Sequence, residues 1–207
     1  MAASMDVNVS DAQPDAKVFP TFVERYFTPR YKADVNGRQG EDFCILQHSN
    51  KICVIALARG HPILRDKHLV DQVDFQVSPN TNRIDNKVIG KSKKGAQYLR
   101  EDSPLCTVRC TDGASFVVYP CVRGKLVEVN EMLVHQPQLL TTKPNTEGYV
   151  AIVLLRLGDC DQQLQGLLSE EEYGQILLRR ERQTTETPDA TGQGASSSPG
   201  TCAALPS

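Results

Sequence analysis

Cysteine and histidine side chains are the first candidates in this 207-residue chain for binding a metal ion such as zinc or for nucleophilic catalysis. Cys106 and Cys110 have the Cys-x3-Cys spacing that occurs in zinc sites, and Cys121 follows in the same segment. No second closely spaced pair of Cys or His follows them. On a strand, Cys106 and Cys110 would share one face, where a small apolar side chain suits the core. We therefore predict buried thiols here and no metal site.

A second pairing of thiol and imidazole involves His48, which lies in a predicted turn between strands that carry Cys44 and Cys53. Nucleophilic catalysis would need contact between a thiol and the imidazole, and a third group to orient the ring. The sequence supplies no third group, and His48 with Asn50 is typical of a turn. His61 and His68 are isolated in loop-like sequence and receive no role. We predict no catalytic residue and a chain that is not an enzyme.

The strongest local charge feature is a basic segment at 86–100, with no acidic residue between Asp85 and Glu101. Its candidate partner-binding residues are Lys87, Lys91, Lys93, Lys94 and Arg100. The segment is either a solvated turn or a positive surface for an acidic partner. Nucleic acid is an alternative partner, although Tyr98 is the one aromatic residue nearby that could stack on a base.

The whole chain is nearly neutral, since 23 Lys and Arg stand against 25 Asp and Glu for a formal charge of −2. This balance argues against broad electrostatic binding of nucleic acid. The sequence shows no basic flank followed by an apolar run, and no apolar stretch of about 18 residues. Seven cysteines, an odd number without an export signal, favour reduced thiols. We expect a soluble protein of the cytoplasm or nucleus, with no membrane contact.

The size predicts one domain at 19–182 between two disordered ends. Residues 1–18 are small and polar, and 183–207 are rich in Ser, Thr, Gly and Pro, so neither can bury enough apolar surface to fold.

Short strand-like runs separated by Gly and Asp-Gly turns make up most of that domain. Phe43–Leu46 and 51–57 form a predicted hairpin, and 69–77 ends in an alternating strand with Val73, Phe75 and Val77 inward. Residues 20–32 begin as a helix that stops near Pro29. Ser169 and Glu172 form a capping box that opens a helix at 169–182, with Tyr173, Ile176, Leu177 and Arg180 on one face.

The segment TDGASFVVYPCVRG (111–124) resembles the stretch in which lipoyl and biotinyl carrier domains hold their cofactor, and VIGK at 88–91 recurs as VRGK at 122–125. Such carriers are flattened barrels of two β units, with the modified lysine at a hairpin tip. Gly113 stands where that lysine would be, and glycine offers no amine, so we predict no bound cofactor. Asp112-Gly113 is instead predicted to be a two-residue hairpin turn. A carrier would need a displaced acceptor lysine, either Lys125 or one of the pair Lys93-Lys94, of which Lys94 is the better placed.

Longer stretches at 23–37, 42–64, 86–99, 121–137 and 143–155 resemble a family of actin-binding transcription modulators. The resemblance covers roughly 20–182 and leaves both ends unmatched. It implies a fold related to the H protein of glycine cleavage: a mainly β, lipoyl-biotinyl-like hybrid or barrel-sandwich domain with short flanking helices and disordered tails.

The same resemblance implies a non-enzymatic regulator that binds monomeric and filamentous actin and affects actin polymerisation, filopodia and dendrite branching. It also implies residence in nuclear speckles, in the cytoplasm and in actin-rich projections such as growth cones and lamellipodia. No contact residue can be transferred from the family, and self-association is left open. The competing classes are a nucleic-acid-binding transcription factor and a lipoyl-type carrier.

Overall fold

The computed structural model describes residues 20–156 and 158–185. The expectations for the lead at 1–18, and for the tail beyond residue 185, concern residues outside these ranges. Within them the chain is mainly β with short helices, which confirms the predicted fold class. The described residues contain eleven strands, in chain order β1 (Phe27–Lys32), β2 (Phe43–His48), β3 (Ile52–Leu57), β4 (Val70–Asp74), β5 (Gln76–Ser78), β6 (Thr81–Asn82), β7 (Tyr98–Leu99), β8 (Cys106–Cys110), β9 (Ser115–Val118), β10 (Gly124–Val129) and β11 (Ala151–Leu155).

The larger sheet has six antiparallel strands in the order β1-β2-β3-β11-β10-β7. The predicted hairpin is confirmed as β2 and β3, in which Phe43 lies opposite Leu57. Strand β10 pairs with β11 on one side and with β7 on the other, so the segment that resembles a carrier hairpin leads directly into an inner strand of the larger sheet.

The smaller sheet has the order β4-β8-β9, and β5 with β6 forms a separate two-stranded hairpin. The strand predicted at 69–77 is interrupted at Phe75. There Asp74 Oδ1 accepts a hydrogen bond from Gln76 N at 2.9 Å, a local turn contact that competes with the ladder. Val73 and Phe75 are nevertheless buried as predicted, whereas Val77 is half-buried.

The described residues form six α-helices, of which the first precedes β1 and the others lie between or after the strands: α1 (Phe22–Tyr26), α2 (Pro62–Arg65), α3 (Met132–His135), α4 (Leu139–Thr142), α5 (Cys160–Gln165) and α6 (Glu170–Thr185). Helix α1 ends at Tyr26, earlier than the predicted stop near Pro29. The chain is already extended at Pro29. This residue belongs to β1, the edge strand of the larger sheet, and lies opposite Leu46 of β2. An edge strand tolerates proline because it does not need every N–H for its ladder.

Two apolar clusters stabilise the fold. The main core includes Phe43, Ile45 and Ile55 of the larger sheet and Val108 and Val118 of the smaller one. The smaller cluster lies on the opposite face of the larger sheet, because alternate residues of a strand point to opposite sides. It joins Cys44, Leu46, Ala56 and Tyr31 to Tyr173 of α6.

Helix α6 covers this outer cluster. Its predicted capping box is present: Glu172 N donates to Ser169 Oγ at 3.2 Å, and Ser169 N donates to Glu172 Oε2 at 2.7 Å. The helix begins at Glu170 and continues to Thr185, three residues past the predicted end. Tyr173 is fully buried and stacks on Tyr31, with ring centroids 4.3 Å apart.

Candidate partner-binding surface

The first part of the basic segment forms a tight loop at 86–95, and β7 follows it. Ile89 and Lys94 form an isolated antiparallel bridge, with Ile89 N to Lys94 O and Lys94 N to Ile89 O both at 2.9 Å. Gly90 and Gly95 have positive φ values of 67° and 82°, and Lys93 has a φ of 52°. A Cβ on Gly95 would lie 2.8 Å from the carbonyl oxygen of Lys87, so this position requires glycine.

A network of amide side chains fixes the base of this lysine loop. Asn86 Nδ2 donates to the carbonyl oxygens of Leu126 and Val127 in β10, and Asn86 Oδ1 accepts from Gln97 N at 2.8 Å. Arg83, which is almost fully buried, donates to Gln97 Oε1 at 2.6 Å and to the Pro104 carbonyl at 3.0 Å. Leu126 N of β10 also donates to the Gln97 carbonyl at 2.8 Å, so the chain on both sides of the loop is hydrogen-bonded to β10.

The structure brings the predicted lysines together and places Arg100 apart from them. Lys87, Lys91 and Lys94 are exposed and Lys93 is half-buried, all on the one loop. Arg100 forms two hydrogen bonds of 3.1 Å with Asp102. It lines a different groove, of about 530 Å³, together with Asp34 and Glu101. Its charge therefore faces carboxylates of the protein itself.

A groove of about 570 Å³ lies beside the lysine loop. Four cations from separate parts of the chain line it: Lys51, Lys91, Lys125 and Arg156. Tyr98 and Leu154 provide apolar lining, and no carboxylate is among the described residues that line the groove. Lys125 Nζ donates to the Ser92 carbonyl at 2.8 Å, which ties the loop to the groove. We call the lysine loop and this groove together the basic surface.

The arginines of a larger groove contrast with the basic surface. That groove, of about 840 Å³, lies beside α6 and contains Arg59, Arg65 and Arg180. Each of these arginines makes an ion pair with a carboxylate, to Glu170, Asp66 and Asp42 respectively. Charge in this groove is balanced within the protein, whereas the lysines of the basic surface make no ion pair with any described carboxylate.

Sequence reasoning missed Lys51 and Arg156 as members of this surface, and it considered Lys125 only as a displaced acceptor. Lys51 lies in the β2–β3 turn and Arg156 follows β11, so both are far from the basic segment in sequence. Their proximity depends on the pairing of β3 with β11 and of β11 with β10. No local pattern in the sequence signals that arrangement.

The carrier-like hairpin has its turn where it was predicted, but the turn is longer than two residues. Gly113 N donates to the Cys110 carbonyl at 3.0 Å, and Cys110 N donates to the Ala114 carbonyl at 2.8 Å. Gly113 has a φ of 88°, whereas Asp112 does not have a positive φ. A two-residue Asp-Gly turn needs positive φ at both positions, so this is a three-residue loop closed by a left-handed glycine.

The thiols predicted to lie in the core are buried. The six cysteines of the described residues are unpaired. Burial raises the pKa of both Cys44 and Cys53 to about 12, so neither is an activated thiolate. His48 Nδ1 accepts a hydrogen bond from Asn50 N at 3.2 Å, the turn contact that the sequence indicated. Cys106 and Cys121 are not part of the one group of three metal-ligating side chains that converges among the described residues.

None of the helices within residues 20–156 and 158–185 combines the length and apolar character needed to span a lipid bilayer.

Comparison with known proteins identifies the fold and the family. Residues 80–180 match the family model of the glycine cleavage H-protein, which confirms the predicted H-protein-like fold. Among solved structures, a glycine cleavage system H protein from Mycobacterium marinum is 16% identical with a TM-score of 0.48, over 72% of this chain and 96% of that chain.

Curated relatives match over most of the chain. Protein Abitram of Bos taurus is 48% identical over 177 residues, which is 86% of this chain and 94% of that protein. Protein Abitram of Xenopus tropicalis is 50% identical over 78% of this chain and 88% of its own length. The human protein of the same name is 47% identical over 84% of this chain and 98% of its own length. The chain therefore belongs to the Abitram family.

Proposed function

We propose that this chain is a non-enzymatic regulator that binds monomeric and filamentous actin and thereby influences filopodia and dendrite branching. We also propose a nuclear pool in speckles, connected with transcription, beside a cytoplasmic pool in actin-rich projections. Two lines of support converge on this role. The chain is a member of the Abitram family, and its long stretches at 42–64 and 121–137 resemble actin-binding transcription modulators.

The observation that carries the proposal is the basic surface. Lys51, Lys91, Lys125 and Arg156 surround a groove without a carboxylate among its described lining residues, although the whole chain has a formal charge of −2. Actin is an acidic protein, and complementary charge raises association rates and favours one orientation. The exposed side chains of Ile89 and Tyr98 add apolar contact area beside the cations. A mixed apolar and cationic surface suits an acidic protein partner.

Cosedimentation with actin filaments, together with binding to fluorescent actin monomers, tests this proposal. We expect the full chain to pellet with filaments in a saturable manner and to bind monomers. Binding should weaken as salt rises from about 50 to 200 mM, because exposed charges are screened over about 10 Å at 0.1 M salt. Absence of saturable binding to both forms of actin at the lower salt concentration would contradict the proposal.

Nucleic-acid binding is the second candidate, and the position of Tyr98 is the observation that favours it. Its half-exposed ring lines the groove with Lys91 and Lys125, an arrangement that could stack a base beside phosphate contacts. Binding of single-stranded RNA or DNA at physiological salt, without cosedimentation with actin, would select this candidate. A steep fall of affinity with salt would identify the phosphate contacts.

A lipoyl-type carrier is disfavoured by Gly113, which has no amine at the hairpin tip. The lysines that could accept a lipoyl group in place of Gly113 differ in solvent exposure. Lys94 is exposed on its loop, whereas Lys125 is half-buried and donates a hydrogen bond to the Ser92 carbonyl. The intact mass of the protein purified from its own cells decides this point. We expect no added lipoyl group, and an added lipoyl mass would overturn the non-carrier assignment.

A further inference from the structure

Three side chains that commonly bind metals meet at the tip of the β8–β9 hairpin. His68 precedes β4, Cys110 ends β8, and Asp112 lies in the loop that follows. His68 Nδ1 lies 2.5 Å from Asp112 Oδ2. One ligand atom from each of the three residues lies within 4.8 Å of those from the other two. From sequence alone, His68 received no role and Cys110 was predicted to lie in the core, so this grouping comes from the fold.

Backbone contacts fix all three residues independently of any ligand. Thr111 N donates to the Leu69 carbonyl at 2.9 Å, which joins the hairpin loop to the segment that carries His68. His68 N donates to the Ile63 carbonyl at 3.1 Å. Val70 lies opposite Cys110 in the β4–β8 ladder. The positions of the three Cα atoms are therefore set by the sheet and its hairpin, which lowers the ordering cost of binding a ligand between them.

The side chains are also oriented toward one another. The ring of His68 lies against Phe116, with ring centroids 5.8 Å apart. Asp112 uses Oδ1 to accept a hydrogen bond from Ala114 N at 2.9 Å, which leaves Oδ2 directed at His68. Cys110 is 5% exposed, while the side chains of His68 and Asp112 are 21% and 49% exposed. The thiol therefore forms the floor of the cluster, and the other two side chains face solvent.

We propose that His68, Cys110 and Asp112 form a Zn²⁺ site with three protein ligands and one position open to water. Nitrogen, sulfur and oxygen donors together match the preference of zinc, whereas Mg²⁺ and Ca²⁺ require oxygen donors. Zinc binds nitrogen and oxygen at about 2.0–2.2 Å in tetrahedral geometry. His68 Nδ1 and Asp112 Oδ2 would move apart by less than about 1 Å to accept the ion between them. Cys110 binds as the thiolate, and its proton passes to solvent.

A Cys–His–Asp nucleophile is the alternative use of the same three residues. Burial raises the pKa of the Cys110 thiol, with the charge of Asp112 as the second cause. A nucleophile needs the pKa of its thiol lowered, so the environment opposes this role. A bound metal ion would overcome the raised pKa of the Cys110 thiol, because the charge of the ion stabilises the thiolate directly.

Cobalt provides the test, because Co²⁺ bound to a thiolate gives an intense near-ultraviolet charge-transfer band, and tetrahedral Co²⁺ gives visible bands. Every protein in the series carries Cys202→Ser, since that thiol lies outside the described residues and could bind metal by itself. Titration of the full chain with Co²⁺ should produce both bands at one equivalent, and Zn²⁺ should abolish them by displacement.

Single variants assign the ligands. Cys110→Ser should lose the charge-transfer band, and the matched control Cys106→Ser, a buried thiol on the same strand, should retain it. His68→Ala and Asp112→Asn, which alter partly exposed side chains, should each weaken Zn²⁺ binding at least about tenfold, because loss of even a hydrogen-bond partner of a ligand typically costs about 10–100-fold. The absence of a thiolate band, or a band that persists in Cys110→Ser, would overturn the proposal. Unchanged Zn²⁺ affinity in both His68→Ala and Asp112→Asn would also overturn it.

Discussion

Arg180 and Asp42 form a bidentate ion pair, although they are 138 positions apart in the chain. Arg180 Nη1 lies 2.5 Å from Asp42 Oδ2, and Arg180 Nη2 lies 3.1 Å from Asp42 Oδ1. Asp42 is fully buried and also accepts hydrogen bonds from Tyr173 Oη at 2.8 Å and from Asp34 N at 3.0 Å. A buried carboxylate is tolerated only with such a set of donors. Two of its partners belong to α6, so Asp42 fixes the helix on the outer face of the larger sheet.

Asp42→Asn should destabilise the protein by about 1–3 kcal/mol, because an amide nitrogen would replace one of the buried carboxylate oxygens that accept hydrogen bonds from Arg180 and Tyr173. The free energy of unfolding in urea measures this loss. Asp34→Asn is the matched control, because Asp34 bonds the same guanidinium at 2.8 Å from a side chain that is 46% exposed. That variant should cost less than about 1 kcal/mol. Equal losses of unfolding free energy in the two variants would show that the buried Asp42 stabilises the protein no more than the exposed Asp34.

His61 should make stability depend on pH. Its ring is fully buried, and Nδ1 accepts a hydrogen bond from Ile63 N at the start of α2. Burial lowers the pKa of His61 to about 4 from 6.5. The unfolded chain therefore takes up a proton near pH 6.5 while the folded protein stays neutral. Stability is complete above that pH and falls as the pH drops toward 4.

Between pH 7 and pH 4.5 the contribution of His61 should fall by about 2–3 kcal/mol. Urea unfolding at several pH values measures the slope. His61→Asn retains an acceptor at the first turn of α2 but does not titrate, so its stability should fall less over the same interval. Parallel pH profiles of the natural chain and the variant would refute the assignment.

Gly95 should be intolerant of a side chain and Gly90 less so. Both have positive φ, which costs a residue with a Cβ about 1–2 kcal/mol. At Gly95 the Cβ would also meet the carbonyl oxygen of Lys87, whereas Gly90 has open space within 4 Å. Hydrogen exchange of the Ile89 and Lys94 amides reports the integrity of the loop. Gly95→Ala should accelerate exchange of both amides much more than Gly90→Ala, and equal effects would argue against the contact.

Local sequence patterns predicted the parts of the fold that depend on near neighbours. Alternation of apolar residues placed Cys106 and Cys110 on the buried face of β8, and Ser169 with Glu172 located the start of α6. The helices α2, α3, α4 and α5 were not predicted. Each has only four to six residues, too few to be stable by propensity, so packing of Leu133, Leu140 and Leu164 in the core must hold α3, α4 and α5.

The candidate sites depend on contacts that no local pattern encodes. The basic segment indicated the lysines of the loop. The groove beside them also includes Lys51, which precedes β3, and Arg156, which follows β11. Arg100 belongs to the same basic segment, yet its side chain turns to Asp102. His68 and Asp112 meet because β4 pairs with β8, a register that the sequence did not reveal. Strand pairing across the sheets is the missing information for the groove and for the contact between His68 and Asp112, whereas the contact between Arg100 and Asp102 is local.

The central claim, that the lysine loop contacts actin, is tested most directly by charge reversal. The variant Lys91→Glu, Lys93→Glu, Lys94→Glu changes the loop, and Lys32→Glu, Lys67→Glu, Lys143→Glu makes the same change in net charge at exposed positions elsewhere. Circular dichroism and urea unfolding establish that both triple variants fold.

In filament cosedimentation, the loop variant should bind at least about tenfold more weakly than the natural chain, because acidic groups would then face acidic groups. The control should bind within about twofold of the natural chain, since its changes lie away from the interface. Equal affinities of the two triple variants would contradict the account.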